Sequence, residues 1–94
     1  MNQLEKARKD INEIDDRMRE LFARRLEASA RVLEYKRGCG MPIFDPEREA
    51  QVIANGLGRI DNPLFAGYYK RFITCLMDIS KDYQAAILKE DKNI

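Results

Sequence analysis

Two cations in the first third of the chain could do chemistry together. Apolar residues recur there three and four apart, at Leu4, Ala7, Ile11, Ile14, Met18 and Leu21, then at Ala28, Val32 and Tyr35. Arg25 occupies a position that this repeat assigns to an apolar side chain. Such an arginine can set the register of a helix, or pack its stem while its head reaches water. Lys36 follows eleven residues later, very nearly three turns, so it lies on the same side of a helix about 16 Å along the axis. Two long cationic side chains leaning toward each other across that gap leave room for a small dianion. Taken singly, a lysine near a helix C-terminus is ordinary dipole complementation.

Other polar residues sit where packing alone does not ask for them. Ser80 and Gln84 are one turn apart on an otherwise apolar line, where hydrogen bonds to backbone would satisfy them as core residues. Asp45, Arg48 and Glu49 read at first as a helix cap and a solvated first turn. Arg8 ranks as surface by periodicity, as do Arg17, Arg19, Arg24, Arg31 and Arg37. The chain has no histidine, and Cys39 and Cys75 lack metal-ligand spacing. Zinc sites and Ser-His or Cys-His catalysis are therefore not expected, and the cysteines read as two reduced thiols. A formal net charge of +1, from 17 basic and 16 acidic residues, argues against a nucleic-acid partner.

The elements that must carry these residues are helices. Charged content of 35% with only 5 Gly and 3 Pro, and long helical periodicity, indicates an all-α chain that forms one domain over residues 1–94. Leu4 to Arg37 contains no Pro or Gly and predicts one amphipathic helix of roughly 50 Å, longer than a globule of this size is wide. The remaining residues cannot cover it, so its seam calls for a second chain. Arg37-Gly38-Cys39-Gly40, with Pro42 beyond, ends it. After a loop from Met41 to Phe44, Asp45-Pro46-Glu47-Arg48-Glu49 opens a second helix that carries Val52, Ile53 and Leu57 and ends at Gly56-Leu57-Gly58. Asn62-Pro63 repeats the signal and opens a third helix to about Lys89. One face of it reads Phe65, Tyr69, Phe72, Leu76, Ile79, Tyr83, and a neighbouring line Ile73, Met77, Ser80, Gln84, Ile87. Glu90 to Ile94 should fray. The opening Met-Asn-Gln-Leu-Glu-Lys has no signal-peptide apolar core, and no stretch approaches a membrane span, so the cytoplasm is the expected compartment.

In order along the chain, these residues resemble the all-helical chorismate mutase family. Ala7-Arg8-Lys9-Asp10-Ile11-Asn12-Glu13-Ile14-Asp15 and Leu21-Phe22-Ala23-Arg24-Arg25 look like that family's first helix, and Lys36 stands at its lysine position. Asp45-Pro46-Glu47-Arg48-Glu49 matches its D-x-x-R-E signature, and Asp78-Ile79-Ser80-Lys81-Asp82-Tyr83-Gln84 matches the serine and glutamine of its third helix. The resemblance covers about residues 4 to 88.

It implies an intertwined homodimer of long-short-long three-helix subunits that rearranges chorismate to prephenate in aromatic amino acid biosynthesis, without a cofactor or metal. It further implies that Arg25 and a partner's Arg8 hold the two substrate carboxylates with help from Ser80, and that Lys36 and Gln84 donate to the ether oxygen. Glu49 and the backbone near Asp45 would take the ring hydroxyl, with Arg48 holding Glu49 and lining the pocket. Helix geometry agrees with the assignment of Arg8 to a partner: Arg8 and Arg25 are seventeen residues apart, about 25 Å along one helix. Two first helices crossing antiparallel near Asp16 and Arg17 would bring them together. An isochorismate pyruvate-lyase of the same fold is the alternative enzyme, and a non-catalytic helical dimerisation module the alternative of another class. The second explains the seam but not Arg25, Lys36, Ser80 and Gln84 together.

Overall fold

The computed structural model describes residues 1–92. Three α-helices follow one another: α1 (Gln3–Cys39), α2 (Pro46–Leu57) and α3 (Ala66–Lys92), the last preceded by a 3-10 turn at Pro63–Phe65. No strand occurs among the described residues. The long-short-long order expected from periodicity is the order observed, with differences at the ends.

α1 starts where Asn2 accepts a hydrogen bond from the Glu5 amide at 2.8 Å, and it runs two residues beyond the expected stop. Gly38 stays helical, because a glycine inside a helix costs only about 1 kcal/mol. Gly40 is the terminator: its φ of 71° lies in the left-handed region where a Cβ is penalised. The Gly40 and Met41 amides both turn back to the Lys36 carbonyl.

α2 is capped by the Asp45 carboxylate, which accepts from the Arg48 amide at 3.1 Å, with Pro46 in the first turn. At Asn62-Pro63 the third helix does not begin directly. The Asn62 side chain accepts from the Leu64 amide and its carbonyl from the Phe65 amide. That i to i+3 closure winds one tight turn before α3 proper. The far end of α3 is also more ordered than expected. Glu90, Asp91 and Lys92 are helical, and Arg37 pairs with Asp91, fastening the end of α3 to the end of α1. Asn93 and Ile94, which were expected to fray with them, lie outside the described residues.

α3 is the shared support. It packs against both α1 and α2, and those two make no close backbone approach to each other. The α2–α3 contact is tight at Gly56, where a Cβ would collide with the Tyr69 ring. The buried line of α3 is Ile73, Met77, Ser80 and Gln84, completed by Leu33 of α1. This is the polar-interrupted line. The more apolar face carries Phe65, Phe72, Ile79 and Tyr83, all exposed.

Most of the α1 seam is uncovered as well: Leu4, Ile11, Ile14, Met18 and Leu21 are each about half exposed or more. Among the described residues only three apolar side chains are buried, Leu33, Ile73 and Met77, a small core for a chain of this length. The shape says the same. The subunit measures 55 × 30 × 15 Å with a radius of gyration of 16.9 Å, against about 12 Å for a compact domain of this length.

Candidate active site

Where the three helices meet, residues distant in sequence converge on one small cavity of about 150 Å³. α1 contributes Arg25, Ser29 and Lys36, the α1–α2 loop Ile43 and Asp45, α2 Arg48, Glu49 and Val52, and α3 Met77 and Ser80. Six of the eight residues singled out from the sequence line it: Arg25, Lys36, Asp45, Arg48, Glu49 and Ser80.

Arg25 does not merely extend into solvent. Its Nη1 donates to Ser80 Oγ at 2.6 Å and approaches the Leu76 carbonyl at 3.5 Å. The Ser80 hydroxyl in turn donates to Leu76 O at 2.9 Å. The guanidinium is thus pinned to α3 through one nitrogen, and its remaining N–H groups are left to grip an anion.

Lys36 Nζ donates to the Ile43 carbonyl at 3.0 Å, which ties the α1–α2 loop to α1. An ammonium has three donors, so two remain for a ligand. Met77 and Val52 supply the apolar wall. Three cations line the cavity, Arg25 and Lys36 from α1 and Arg48 from α2, together with the acidic Asp45 and Glu49 at the start of α2. This charge pattern fits a small anion that also carries a hydroxyl.

The surroundings of Glu49 depart from expectation. Arg48 does not hold it: Arg48 Nη1 donates to Gln51 Oε1 at 2.8 Å, one turn along the same helix. The partner of Glu49 is Lys81, whose Nζ lies 2.8 Å from Oε2. That ammonium is also 3.4 Å from Asp78 and sits over the Phe44 ring, 4.6 Å from its centre. The hydrogen bond to Glu49 raises the Lys81 pKa above its ordinary value, so Lys81 stays cationic throughout the neutral range.

Gln84 is buried one turn below Ser80, and its Nε2 donates to the Ser29 carbonyl at 2.8 Å. It does not line the cavity but bonds Ser29, which does, and the second N–H of the amide is uncommitted among the described residues. Arg8 is exposed far along α1 and reaches nothing in this site.

Sequence reasoning missed two residues. Ser29 bonds the Arg25 carbonyl with its hydroxyl at 3.0 Å and receives Gln84 on its own carbonyl. Its place one turn after Arg25 was a usable signal. Lys81, beside Ser80, looked like any surface lysine.

A second, larger concavity of about 570 Å³ runs between α1 and α3, lined by Asp15, Met18, Arg19, Leu21, Phe22, Arg25, Phe72 and Leu76. Its wall is mostly apolar, and it ends at Arg25, which both hollows share. Among the described residues, no helix is long and apolar enough to cross a membrane, and no cluster of Cys, Asp and Glu is arranged to hold a metal ion.

Comparison with known proteins agrees with this geometry. The family model described as chorismate mutase type II matches residues 7–85, a span that contains every one of the site residues above. The chain is 29% identical over its whole length to a bifunctional chorismate mutase/prephenate dehydratase of Aquifex aeolicus, of which it spans 25%. It is 42% identical over 53 residues, 56% of the chain, to the T-protein of Enterobacter agglomerans, and covers 14% of that protein. Over 52 residues, 55% of the chain, it is 40% identical to the chorismate mutase of Methanocaldococcus jannaschii, with 52% of that protein covered. The chain thus spans from about one seventh to about half the length of these relatives. With three helices in long-short-long order, a cation-lined cavity at their junction and a family match across most of its length, the chain belongs to the chorismate mutase type II family.

Proposed function

We propose that this chain is an isomerase that rearranges chorismate to prephenate, the step that commits material to phenylalanine and tyrosine. The observation that carries this reading is the convergence of Arg25, Lys36, Ser80 and Glu49, from three separate helices, on one cavity. Chorismate is a dianion with a ring hydroxyl and an enol ether, and each of these groups has a counterpart in the proposed site.

The reaction is a [3,3] shift in which a C–O bond breaks as a C–C bond forms, within one molecule. It needs neither nucleophile nor proton transfer. It needs the side chain of the substrate folded over the ring so that the reacting carbons meet, and donors aimed at the ether oxygen, where negative charge grows. Arg25, held by Ser80, takes one carboxylate. The two free N–H groups of Lys36 and the second N–H of Gln84 are the donors for the ether oxygen. Glu49 and the backbone near Asp45 take the ring hydroxyl. Arg48 lines the rim.

The second carboxylate calls for a further cation, and Arg8 of the partner subunit is the candidate. The exposed seam of α1 and the apolar concavity that ends at Arg25 support a homodimer. A second α1 laid antiparallel in that concavity covers Leu21 and Phe72 and carries its Arg8 toward Arg25. Two sites per dimer follow. The two cysteines, both free, suit the reducing cytoplasm, and we place the protein there with residues 1–94 as a single catalytic domain.

Following the loss of chorismate and the gain of prephenate with the purified chain, and repeating the assay with isochorismate, tests the reading. Prephenate from chorismate, with no pyruvate released from isochorismate, is the expected result. Pyruvate release without prephenate would replace it with the lyase.

A further inference from the structure

The charge balance around Glu49 has a consequence for substrate selection. Glu49 places a carboxylate beside a cavity meant for a dianion, and like charges in a partly dry site repel. Unless it is neutralised, that carboxylate weakens binding of the substrate it is meant to recognise. The structure supplies the counter-charge from outside the cavity. Lys81 Nζ lies 2.8 Å from Glu49 Oε2 but does not line the hollow. Its ammonium makes two further contacts, with Asp78 at 3.4 Å and over the Phe44 ring at 4.6 Å. Both members of the pair are mostly covered. With Oε2 taken, Oε1 has no donor among the described residues and is the lone-pair site left for a ligand hydroxyl.

We infer that Lys81 is a positioning residue for substrate selection. By holding Glu49 Oε2 it fixes the carboxylate so that Oε1 accepts the ring hydroxyl, and it offsets the charge that Glu49 would otherwise set against the dianion. This role rests on the proposed chorismate mutase activity. It acts on binding of hydroxylated substrate and hardly on the chemical step, because the ring hydroxyl is remote from the ether oxygen. Phe44 is part of the device, since the ammonium sits over its ring, which links the α1–α2 loop to α3.

The test compares Lys81→Met and Lys81→Arg with the parent chain. It uses chorismate as substrate and, as competitive inhibitor, a chorismate analogue with hydrogen in place of the ring hydroxyl. Lys81→Met should raise KM for chorismate about 10-fold, the scale of a lost charge-assisted hydrogen bond, with kcat within about 3-fold. The inhibition constant of the deoxy analogue should rise clearly less, since that dianion loses the charge offset but has no hydroxyl contact to lose. Lys81→Arg should recover most of the KM. In a Glu49→Ala background, Lys81→Met should add no further KM penalty, because coupled residues are non-additive. Should Lys81→Met fail to fold, Lys81→Gln, which removes the charge but stays polar, takes its place. An unchanged KM, or an equal loss for chorismate and the deoxy analogue, overturns the role of Lys81 and leaves the activity standing. A parent chain that produces no prephenate overturns the activity first, and this role with it.

Discussion

The two halves of α1 lie on one unbroken helix and are built for different neighbours. From Arg25 onward one side of the helix is furnished by its own chain, although Val32 and Tyr35 stay exposed: Leu33 is 1% exposed, Arg25 reaches Ser80, and Lys36 reaches Ile43. From Leu4 to Leu21 it is furnished by nothing. Ile14 and Leu21 are 55% and 56% exposed, although their spacing is as regular as any core stripe. A stripe that regular has no reason to form unless something covers it. The comparison separates two kinds of polar residue on one helix. Arg25 interrupts the seam and is explained within the chain. Arg8 is exposed and makes no contact with the site of its own chain, and only the proposed dimer gives it a role there.

The strongest way to break this comparison is to charge the uncovered half. Ile14→Lys should abolish the proposed dimer and with it the fold, because the covered half alone buries too little. Sedimentation and circular dichroism should show a largely unfolded monomer at micromolar concentration. A folded, monomeric Ile14→Lys chain would show that the seam serves something other than self-association.

The next largest effect separates the two arginines. Arg8→Ala and Arg25→Ala should each lose on the order of 10²-fold or more in kcat/KM, as removal of a charged donor does. Both should keep their helical signal. Mixed and re-associated, the two variants should regain activity, since a heterodimer holds one site with both arginines and one with neither. Proven heterodimers that stay inactive would place Arg8 outside the site.

Gln84→Glu sharpens the picture of the covered half. An amide donates at every pH, whereas a carboxyl donates only when protonated, and the ionised form opposes charge growing on the ether oxygen. The variant should be weak at pH 7.5 and recover as pH falls, with a midpoint that Lys36 lowers and burial raises. A rate–pH profile parallel to the parent's would leave Gln84 as a core amide satisfied by Ser29. The smallest effect belongs to Arg37→Ala, which unfastens α3 from α1 at Asp91. Exposed pairs contribute little, so melting and turnover should barely move. A marked loss of turnover would mean that this far clamp helps to set the site.

The parts of the molecule written in local chemistry were legible. Asp45-Pro46 and Asn62-Pro63 announce helix starts, and both serve as caps. The seam predicts a long helix, and 37 residues form one. What stayed hidden depends on which faces meet. The two lines along α3 could not be ranked from sequence, and four of the six residues on the richer apolar line proved exposed while the polar-interrupted line carries the buried residues. Glu49 was assigned to Arg48, one residue before it, although consecutive helix positions point about 100° apart. Its true partner lies 32 residues on, in another helix. Ser29 and Lys81 carry no local mark, since a serine and a lysine on a helix are common.

The absence of Gly and Pro from Leu4 to Arg37 makes α1 a ruler. The separations between Arg8, Arg25 and Lys36 are graduations on it, and nothing along that stretch can take up an error. One inserted residue between Arg8 and Arg25 would advance the helix by about 1.5 Å and turn everything beyond it by about 100°. The seam would then fall out of phase with itself, and both sites of the proposed dimer would be misaligned at once. A seven-residue insertion would nearly restore the phase but move the arginines about 10 Å further apart. Changes of length should therefore be tolerated in the α1–α2 and α2–α3 connections, and almost nowhere along the helix that measures the site.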